Sequence, residues 1–337
     1  MLTSRSIMLI LLMSLFLAPT IYSQEIKFSG YGAAGYRIFD RDILNQYNQE
    51  AYYEGKFQAD IEINDEIEAQ LDFRATSFDE EVELREFSVK FDYNQKLKFK
   101  FGNIKKPFGL DQLENRADLP YIERSQANQN AEEMGFGGRS LSLMAYYKYS
   151  RKRPEYPYSY YASIFRNNSQ RTGIAGRFSF HSENWHYGAN YMLINSSHKV
   201  SMFGHGIGLD VGFDGKDNFA SVEVFLVQNI DERLIRSVAG NDESINVLGF
   251  KTSFGFELET GAEVIKKIEP LIMGSIYFPE LSSTEGHAIQ ALVGANFYFH
   301  KNVRLRFNAD LRLSKNQYIE EYTTKESRGI IELQVRF

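Results

Sequence analysis

The chain has 337 residues, of which 15% are aromatic and 24% are charged, and its formal net charge is −6 at pH 7. This mildly acidic balance argues against nucleic acid as a partner, because proteins that bind it present a clustered basic surface. Cysteine is absent, which excludes disulfides, so stability has to come from an extended hydrogen-bonded sheet or a large core.

The N-terminal residues have the pattern of a cleaved secretory signal. Arg5 precedes an apolar run from Ile7 to Leu17, and a short stretch that ends at Ser23 follows. The apolar run is shorter than the roughly 20 residues that a membrane-spanning helix needs. We therefore predict a signal peptide at residues 1–23 and an exported domain at residues 24–337.

The rest of the chain alternates apolar and polar residues with a period of two, the pattern of strands with one apolar and one polar face. Each alternating segment is long enough for the roughly 9–11 residues that cross a bilayer at a tilt. Sixteen segments can be followed, at 25–40, 50–64, 67–78, 82–93, 96–105, 134–149, 156–167, 173–182, 184–195, 205–214, 218–231, 244–258, 261–278, 286–300, 302–315 and 327–337. The sequence thus predicts an all-β fold, a transmembrane antiparallel β-barrel of about 16 strands.

The connections between these segments alternate in length. Tight turns are predicted at 65–66, 94–95, 183, 215–217 and 301, and longer loops at 41–49, 106–133, 196–204, 232–243 and 316–326. Two connections, at 79–81 and 150–155, depart from the alternation. Short turns at one rim and longer loops at the other are typical of barrels in the bacterial outer membrane.

The segment near residue 303 shows the two predicted faces most clearly. Its apolar face carries Val303, Leu305, Phe307, Ala309, Leu311 and Leu313, and its polar face carries Arg304, Arg306, Asn308, Asp310 and Arg312. Burying unpaired charge in an apolar interior is very costly, and Arg or Lys on the lipid side costs about 2–4 kcal/mol at the bilayer midplane. We therefore expect the polar face to meet water inside the barrel.

The stretch from Leu97 to Ser125 interrupts this alternation of apolar and polar residues. Its first part alternates as a strand, which Pro107 and Gly109 end, and a long connection of mixed charge follows before alternation resumes at Met134. A connection of that length between two strands is usually functional. We interpret it as a loop that folds into the mouth of the barrel.

The same stretch resembles the phosphate-selective porin O and P family of Gram-negative outer membranes. The matching residues are Gly102, Lys105, Pro107, Phe108, Gly109, Leu110, Glu123, Arg124 and Ser125. Weaker matches lie at residues 294–305 and at the terminal Phe337. The resemblance implies a sixteen-stranded homotrimeric porin whose third loop folds inward, embedded in outer-membrane lipid.

Two features depart from the pattern of that family. Members typically carry two adjacent arginines on an early inward strand, where this chain reads Tyr52-Tyr53-Glu54-Gly55-Lys56. The long connection is also rich in acids: it contains Asp111, Glu114, Asp118, Glu123, Glu132 and Glu133 against Lys106, Arg116 and Arg124. The solute therefore stays open between small hydrophilic molecules in general and anions such as phosphate.

We predict a constriction of the channel from the charge of the residues in and near the long connection and from their positions in the chain. Its candidate residues are Lys105, Lys106, Arg116, Arg124, Arg74, Arg85, Glu114 and Asp118, and the candidate lumen wall is Lys56, Lys98, Lys100, Arg304, Arg306 and Arg312. Basic groups on one side and loop carboxylates on the other would let a polar solute exchange water contacts for wall contacts at several weak sites. The predicted function is passive diffusion, without a cofactor or metal.

Two other classes of function remain as alternatives. A barrel that does not conduct would serve as a receptor or anchor. A barrel-embedded lipid hydrolase would need a catalytic pair, for which Ser179 and His181 are the nearest candidates. The glycine pattern at Gly30–Gly35 fits dinucleotide binding by letter, but it lies inside an alternating segment without the buried strand and following helix that this chemistry needs.

Overall fold

The structure is a computed structural model. It describes residues 25–39, 49–77, 82–151, 154–166, 171–196, 202–282, 286–314 and 327–337. The predicted signal peptide at 1–23 and the predicted loop at 316–326 lie outside these residues.

The described strands form one antiparallel sheet that closes on itself, because β17 pairs with β1. Of its 17 strands, 16 are long, and β13 is a two-residue extension beside β14. The strands are β1 Glu25–Phe39, β2 Gln49–Glu62, β3 Ile67–Thr76, β4 Val82–Asn94, β5 Leu97–Lys105, β6 Arg139–Tyr147, β7 Tyr158–Arg166, β8 Thr172–Ser182, β9 Trp185–Ser196, β10 Met202–Asp214, β11 Asn218–Gln228, β12 Asn246–Phe256, β13 Leu258–Glu259, β14 Lys267–Phe278, β15 Ala288–His300, β16 Val303–Ser314 and β17 Arg328–Arg336. The predicted 16-strand barrel is confirmed.

Three helices lie in connections between strands. They are α1 Leu110–Leu113, α2 Gln126–Glu133 and α3 Ile230–Val238. Ser125 caps α2 by accepting a hydrogen bond from the backbone N–H of Asn128, which satisfies one of the free donors of the first turn. Within the described ranges, every helix is too short or too polar to cross a bilayer.

Burial in this sheet is inverted relative to a soluble protein. On β16, Arg304, Arg306 and Asp310 are buried, whereas the alternating Phe307 and Leu311 are exposed. An apolar outer band with polar residues inside is the arrangement of a membrane barrel. The facing predicted for this strand is confirmed.

The boundary of β6 differs from the prediction. The sequence predicts a strand from residue 134, but β6 begins at Arg139. Gly135 and Gly138 have φ of 94° and 70°, in the region that favours glycine over L side chains, and they break the extended backbone before the strand can start.

One side of the barrel interior holds an apolar cluster, which lies between the β5–β6 connection and strands in the range β7–β15. Phe108 and Phe136 of the connection pack there with Met192, Phe225 and other buried residues. The backbone of Gly206 makes room for these rings, since a Cβ there would lie 2.5 Å from the Phe136 ring. The expectation that the interior is lined only by polar groups in water is therefore wrong on this side.

Candidate functional site

The β5–β6 connection, residues 106–138, is called the inner loop here because it lies against the inner face of the barrel. The backbone N–H of Ile122 donates to Asn308 Oδ1 at 2.8 Å, and that of Gln126 donates to Gln290 Oε1 at 2.7 Å. Arg304 Nη2 donates to the carbonyl oxygen of Ala117 at 2.6 Å. These bonds hold the loop against β15 and β16.

A second anchor holds the loop against β11 and β12. Lys251 Nζ donates to Asp111 Oδ1 at 2.9 Å, and both side chains are buried. The carboxylate of Glu223 accepts the backbone N–H of Leu110 at 2.8 Å and Asn128 Nδ2 at 3.1 Å. The loop is thereby fastened along the β11–β17 side, and free space is left on the opposite side.

Two acids of the inner loop, Asp111 and Glu123, pair with cations of the wall. Glu123 lies 3.0 Å from an Arg37 nitrogen and also pairs with Arg328. Burial alone would raise the pKa of Glu123, but the Arg328 and Arg37 guanidinium groups outweigh it and hold that pKa below its usual range. Like Asp111, Glu123 fastens the loop and does not line the channel.

A cavity of about 330 Å³, called the first cavity, lies between the inner loop and β1–β6. Its basic lining residues are Lys56, Arg74, Arg85, Lys105, Arg116, Arg124, Arg139 and Arg336, and its acidic ones are Asp72, Asp118 and Glu132. The lining thus carries more positive than negative charge, even though the chain as a whole is acidic.

Some of these cations are neutralised by wall carboxylates. Glu54 accepts from Arg74 at 2.5 Å and from Arg116 at 2.8 Å. Asp72 lies 3.3 Å from Lys56 Nζ and 3.5 Å from an Arg139 nitrogen. These pairs orient the side chains and reduce their net charge.

Two cations of the first cavity are held without a carboxylate. Lys105 Nζ donates to the carbonyl oxygens of Leu113 at 3.0 Å and Glu114 at 2.8 Å. Arg124 donates to the carbonyl oxygens of Asp111 at 3.0 Å and Glu114 at 2.7 Å. Among the residues that the structure describes, neither forms an ion pair. Both therefore place a basic group beside the cavity that is held by carbonyl oxygens and not by a carboxylate.

Comparison with known families decides the class of this protein. The sequence model described as phosphate-selective porin O and P matches residues 35–202, about half of the chain. The chain belongs to this family. The matched range includes the inner loop and every charged residue of the first cavity except Arg336.

The fold is shared with solved porins at low sequence identity. Salmonella typhi OmpF, solved in complex with daunomycin, aligns with a TM-score of 0.70 at 12% identity, over 94% of this chain and 99% of that one. An anion-selective porin from Comamonas acidovorans gives 0.65 at 10% identity, over 94% and 100%. The trimer form of Vibrio cholerae OmpT gives 0.64 at 9%, over 94% and 100%. Curated proteins gave no match.

Family and fold together make this chain a porin of the Gram-negative outer membrane, a channel for the diffusion of solutes. Most residues of the predicted constriction line the first cavity of the porin: Lys105, Arg116, Arg124, Arg74, Arg85 and Asp118 do so. Glu114 does not line this cavity. Its carbonyl oxygen, and not its carboxylate, accepts hydrogen bonds from Lys105 and Arg124.

Lys106 is a correction to the predicted constriction. Its side chain is buried, its Nζ donates to the carbonyl oxygen of Gly135 at 2.7 Å, and it lies 5.2 Å from the centre of the Phe165 ring. Burial lowers the pKa of Lys106 to about 8. The strand ends at Lys105, so the next side chain enters the packing between loop and wall and does not reach the channel.

The predicted lumen wall divides into two groups. Lys56 lines the first cavity, and Lys98 and Lys100 are partly exposed on β5, paired with Asp92 and Glu86. Arg304, Arg306 and Arg312 are buried, and the expectation that they meet water is wrong. Arg304 and Arg306 donate to carbonyl oxygens of the inner loop, Arg306 pairs with Glu332, and Arg312 lies 2.8 Å from Asp310.

Sequence reasoning missed Arg139 as a residue of the site. Alternation with the exposed Leu141 and Leu143 assigns it to the outer face of β6. Its side chain instead lines the first cavity and lies 3.2 Å from Glu86. The signal was present in Gly138, whose positive φ marks the point where the chain turns into the strand and alternation does not yet hold.

Ser179 and His181, the nearest candidates for the hydrolase alternative, are not joined by a hydrogen bond among those that the structure gives for His181. His181 Nε2 lies 2.9 Å from Ser159 Oγ, a serine of the neighbouring strand, and not beside Ser179. Ser159 is only 4% exposed and also accepts the backbone N–H of Tyr149, whose ring stacks on His181 at 4.5 Å. Ser159 is thus covered by neighbouring side chains and is not open to the surface of the barrel.

Proposed function

We propose that this porin passes small hydrophilic solutes passively and prefers anions, phosphate among them. The observation that carries the proposal is the placement of the basic side chains of Lys105 and Arg124 beside the first cavity, where each is held by carbonyl oxygens and by no carboxylate of the described residues. Fixed charge of one sign in a narrow passage raises the local concentration of ions of the opposite sign.

Arginine geometry supports the same preference. The planar guanidinium groups of Arg74, Arg85 and Arg116 line the first cavity from two sides, and Arg74 and Arg116 share the single carboxylate of Glu54. Guanidinium groups match carboxylate and phosphate oxygens in pairs. Several weak sites in series allow an anion to enter and to leave again. The missing arginine pair of the family is thus replaced by cations from β3, β4 and the inner loop.

We also propose that the mature chain begins near residue 24 and assembles as a homotrimer. The trimer form of Vibrio cholerae OmpT shares this fold. N-terminal sequencing of the exported protein and mild detergent electrophoresis before and after heating test the two statements. A retained Met1 or a monomer in every detergent would contradict them.

The channel is tested by conductance in planar bilayers, with the reversal potential measured in a potassium chloride gradient. We expect a reversal potential of the sign that marks chloride preference. A unit charge about 4 Å from a passing ion is worth about 1 kcal/mol even in water, so Lys105→Gln should lower the chloride-to-potassium permeability ratio by about fivefold.

Lys106→Met is the matched control, because it removes an adjacent charge that does not line the cavity. It should leave the reversal potential unchanged. Absence of any conductance would favour the receptor or anchor alternative. Conductance with cation preference would refute the proposed preference for anions, but it would still support a channel function.

A further inference from the structure

A second cavity, of about 190 Å³, lies next to the first. Lys105 and Asn115 line both cavities. Most of the remaining lining of the second cavity is apolar: it includes Ile104, Pro107, Leu113, Met144 and Tyr161. A small inorganic ion gains nothing from such a wall.

The apolar wall continues as an aromatic surface. The rings of Tyr146 on β6 and Tyr161 on β7 stack with centroids 5.9 Å apart and planes inclined by 3°. Both positions alternate with the exposed side chains of their strands, and Tyr146 is opposite Lys98 on β5. The inner face therefore offers flat aromatic area directly beside the second cavity.

The size of the second cavity fits one aromatic ring. Apolar cavities of about 150 Å³ in protein interiors hold benzene, and this one is larger. Aromatic rings also stack favourably on one another at centroid distances of roughly 4.5–7 Å. A six-membered ring therefore finds both space and a matching surface here.

The group at the junction of the two cavities is the basic side chain of Lys105. Within the described ranges, Lys105 donates only to carbonyl oxygens and forms no ion pair. Lys100, the other cation of the second cavity, lies 2.6 Å from Glu86 and is neutralised. An anionic group is thus favoured at Lys105, at the edge of the apolar wall and not in its middle.

We propose that the second cavity is a subsite for the ring of a small aromatic carboxylate, whose carboxylate is held by Lys105 at the junction. The proposal rests on the proposed anion channel and names one class among its anionic solutes, organic anions with a flat apolar group, that the second cavity also binds. Phosphate and acetate use only the first cavity.

The test is block of the potassium chloride current through the wild-type porin by benzoate, with acetate as the ring-free anion of equal charge. Benzoate should reduce the current at concentrations where acetate does not. Met144→Gln keeps the length of the side chain and removes the apolar wall, so it should weaken block by about threefold or more. Leu113→Asn makes the same change from the loop side, should Met144→Gln fail to insert.

Ser142→Ala is the matched control, on the inner face of the same strand and outside both cavities. It should leave benzoate block unchanged. Equal block by benzoate and acetate in a chloride-selective channel would overturn the subsite alone. Loss of chloride preference in the wild type would overturn the proposed function and the subsite with it. Undiminished benzoate block in both Met144→Gln and Leu113→Asn would place the ring elsewhere and refute the assignment.

Discussion

Two neighbouring lysines of this porin, Lys105 and Lys106, lie in different environments. Lys105 is the last residue of β5 and lines both cavities, whereas Lys106 is buried against Phe165. The sequence marks both as cations at the start of the loop, and nothing in it says which one the turn at Pro107 carries into the packing. The type of charge could be predicted at this point, but not its direction.

The burial of Lys106 has a consequence for stability. Burial lowers its pKa to about 8, whereas lysine in an unfolded chain titrates near 10.4. Between these values the native state binds fewer protons than the unfolded state, so the free energy of unfolding should rise with pH across this window. Urea unfolding of the porin in lipid vesicles, at a series of pH values from about 8 to about 10, measures this slope.

Lys106→Met is the comparison in that experiment. Without the titrating group, the rise of the unfolding free energy between about pH 8 and about pH 10 should be smaller than in the wild type. An identical slope in both proteins would show that Lys106 is not the group responsible.

At the scale of the element, the position of the inner loop is set by ion pairs between its acids and cations of the barrel wall. These pairs lie away from the channel. Its acid-rich composition is visible in the sequence, but composition does not say which partners the acids meet. Asp111 meets Lys251 of β12, and Glu123 meets Arg37 and Arg328. These partners lie far away in the chain, so only the closed barrel brings them together.

The Lys251–Asp111 pair provides a test of this anchor. Both side chains are buried, with exposures of 3% and 2%, and removing one partner of a buried pair typically costs about 3–5 kcal/mol. Lys251→Met should lower the free energy of unfolding by that order. The double variant Asp111→Asn with Lys251→Met should lose less, because no unpaired charge stays buried.

The exposed pair Arg151–Asp214 is the control for this anchor. Its side chains are 63% and 72% exposed, and exposed pairs contribute about 1 kcal/mol or less. Arg151→Met should therefore leave unfolding nearly unchanged. Equal losses for Lys251→Met and Arg151→Met would refute the view that the buried pair anchors the loop.

At the scale of the whole molecule, alternation in the sequence was enough to predict a closed barrel with polar groups inside. The sequence of each strand alone indicates which side chains point inward and which point outward. On β16, for example, Arg306 points inward and Phe307 outward. What the interior contains could not be predicted in the same way. Arg306 meets Glu332 and the inner loop, because polar residues inside a barrel can be satisfied by protein as well as by water.

The interior of this porin is therefore divided. The β7–β17 side is filled by the loop, its buried ion pairs and an apolar cluster, and the β1–β6 side holds the basic first cavity. The central claim is that water and solutes pass on the β1–β6 side only. Since the chain has no cysteine, a single introduced thiol can report where water reaches.

The most direct measurement is the effect of a charged, membrane-impermeant thiol reagent on the current through two single-cysteine variants. Gln58→Cys lies in the first cavity, and Ser275→Cys lies on the inner face of β14 among buried residues. Modification should reduce the current through Gln58→Cys and leave that through Ser275→Cys unchanged. A current that responds at Ser275→Cys and not at Gln58→Cys would contradict the account.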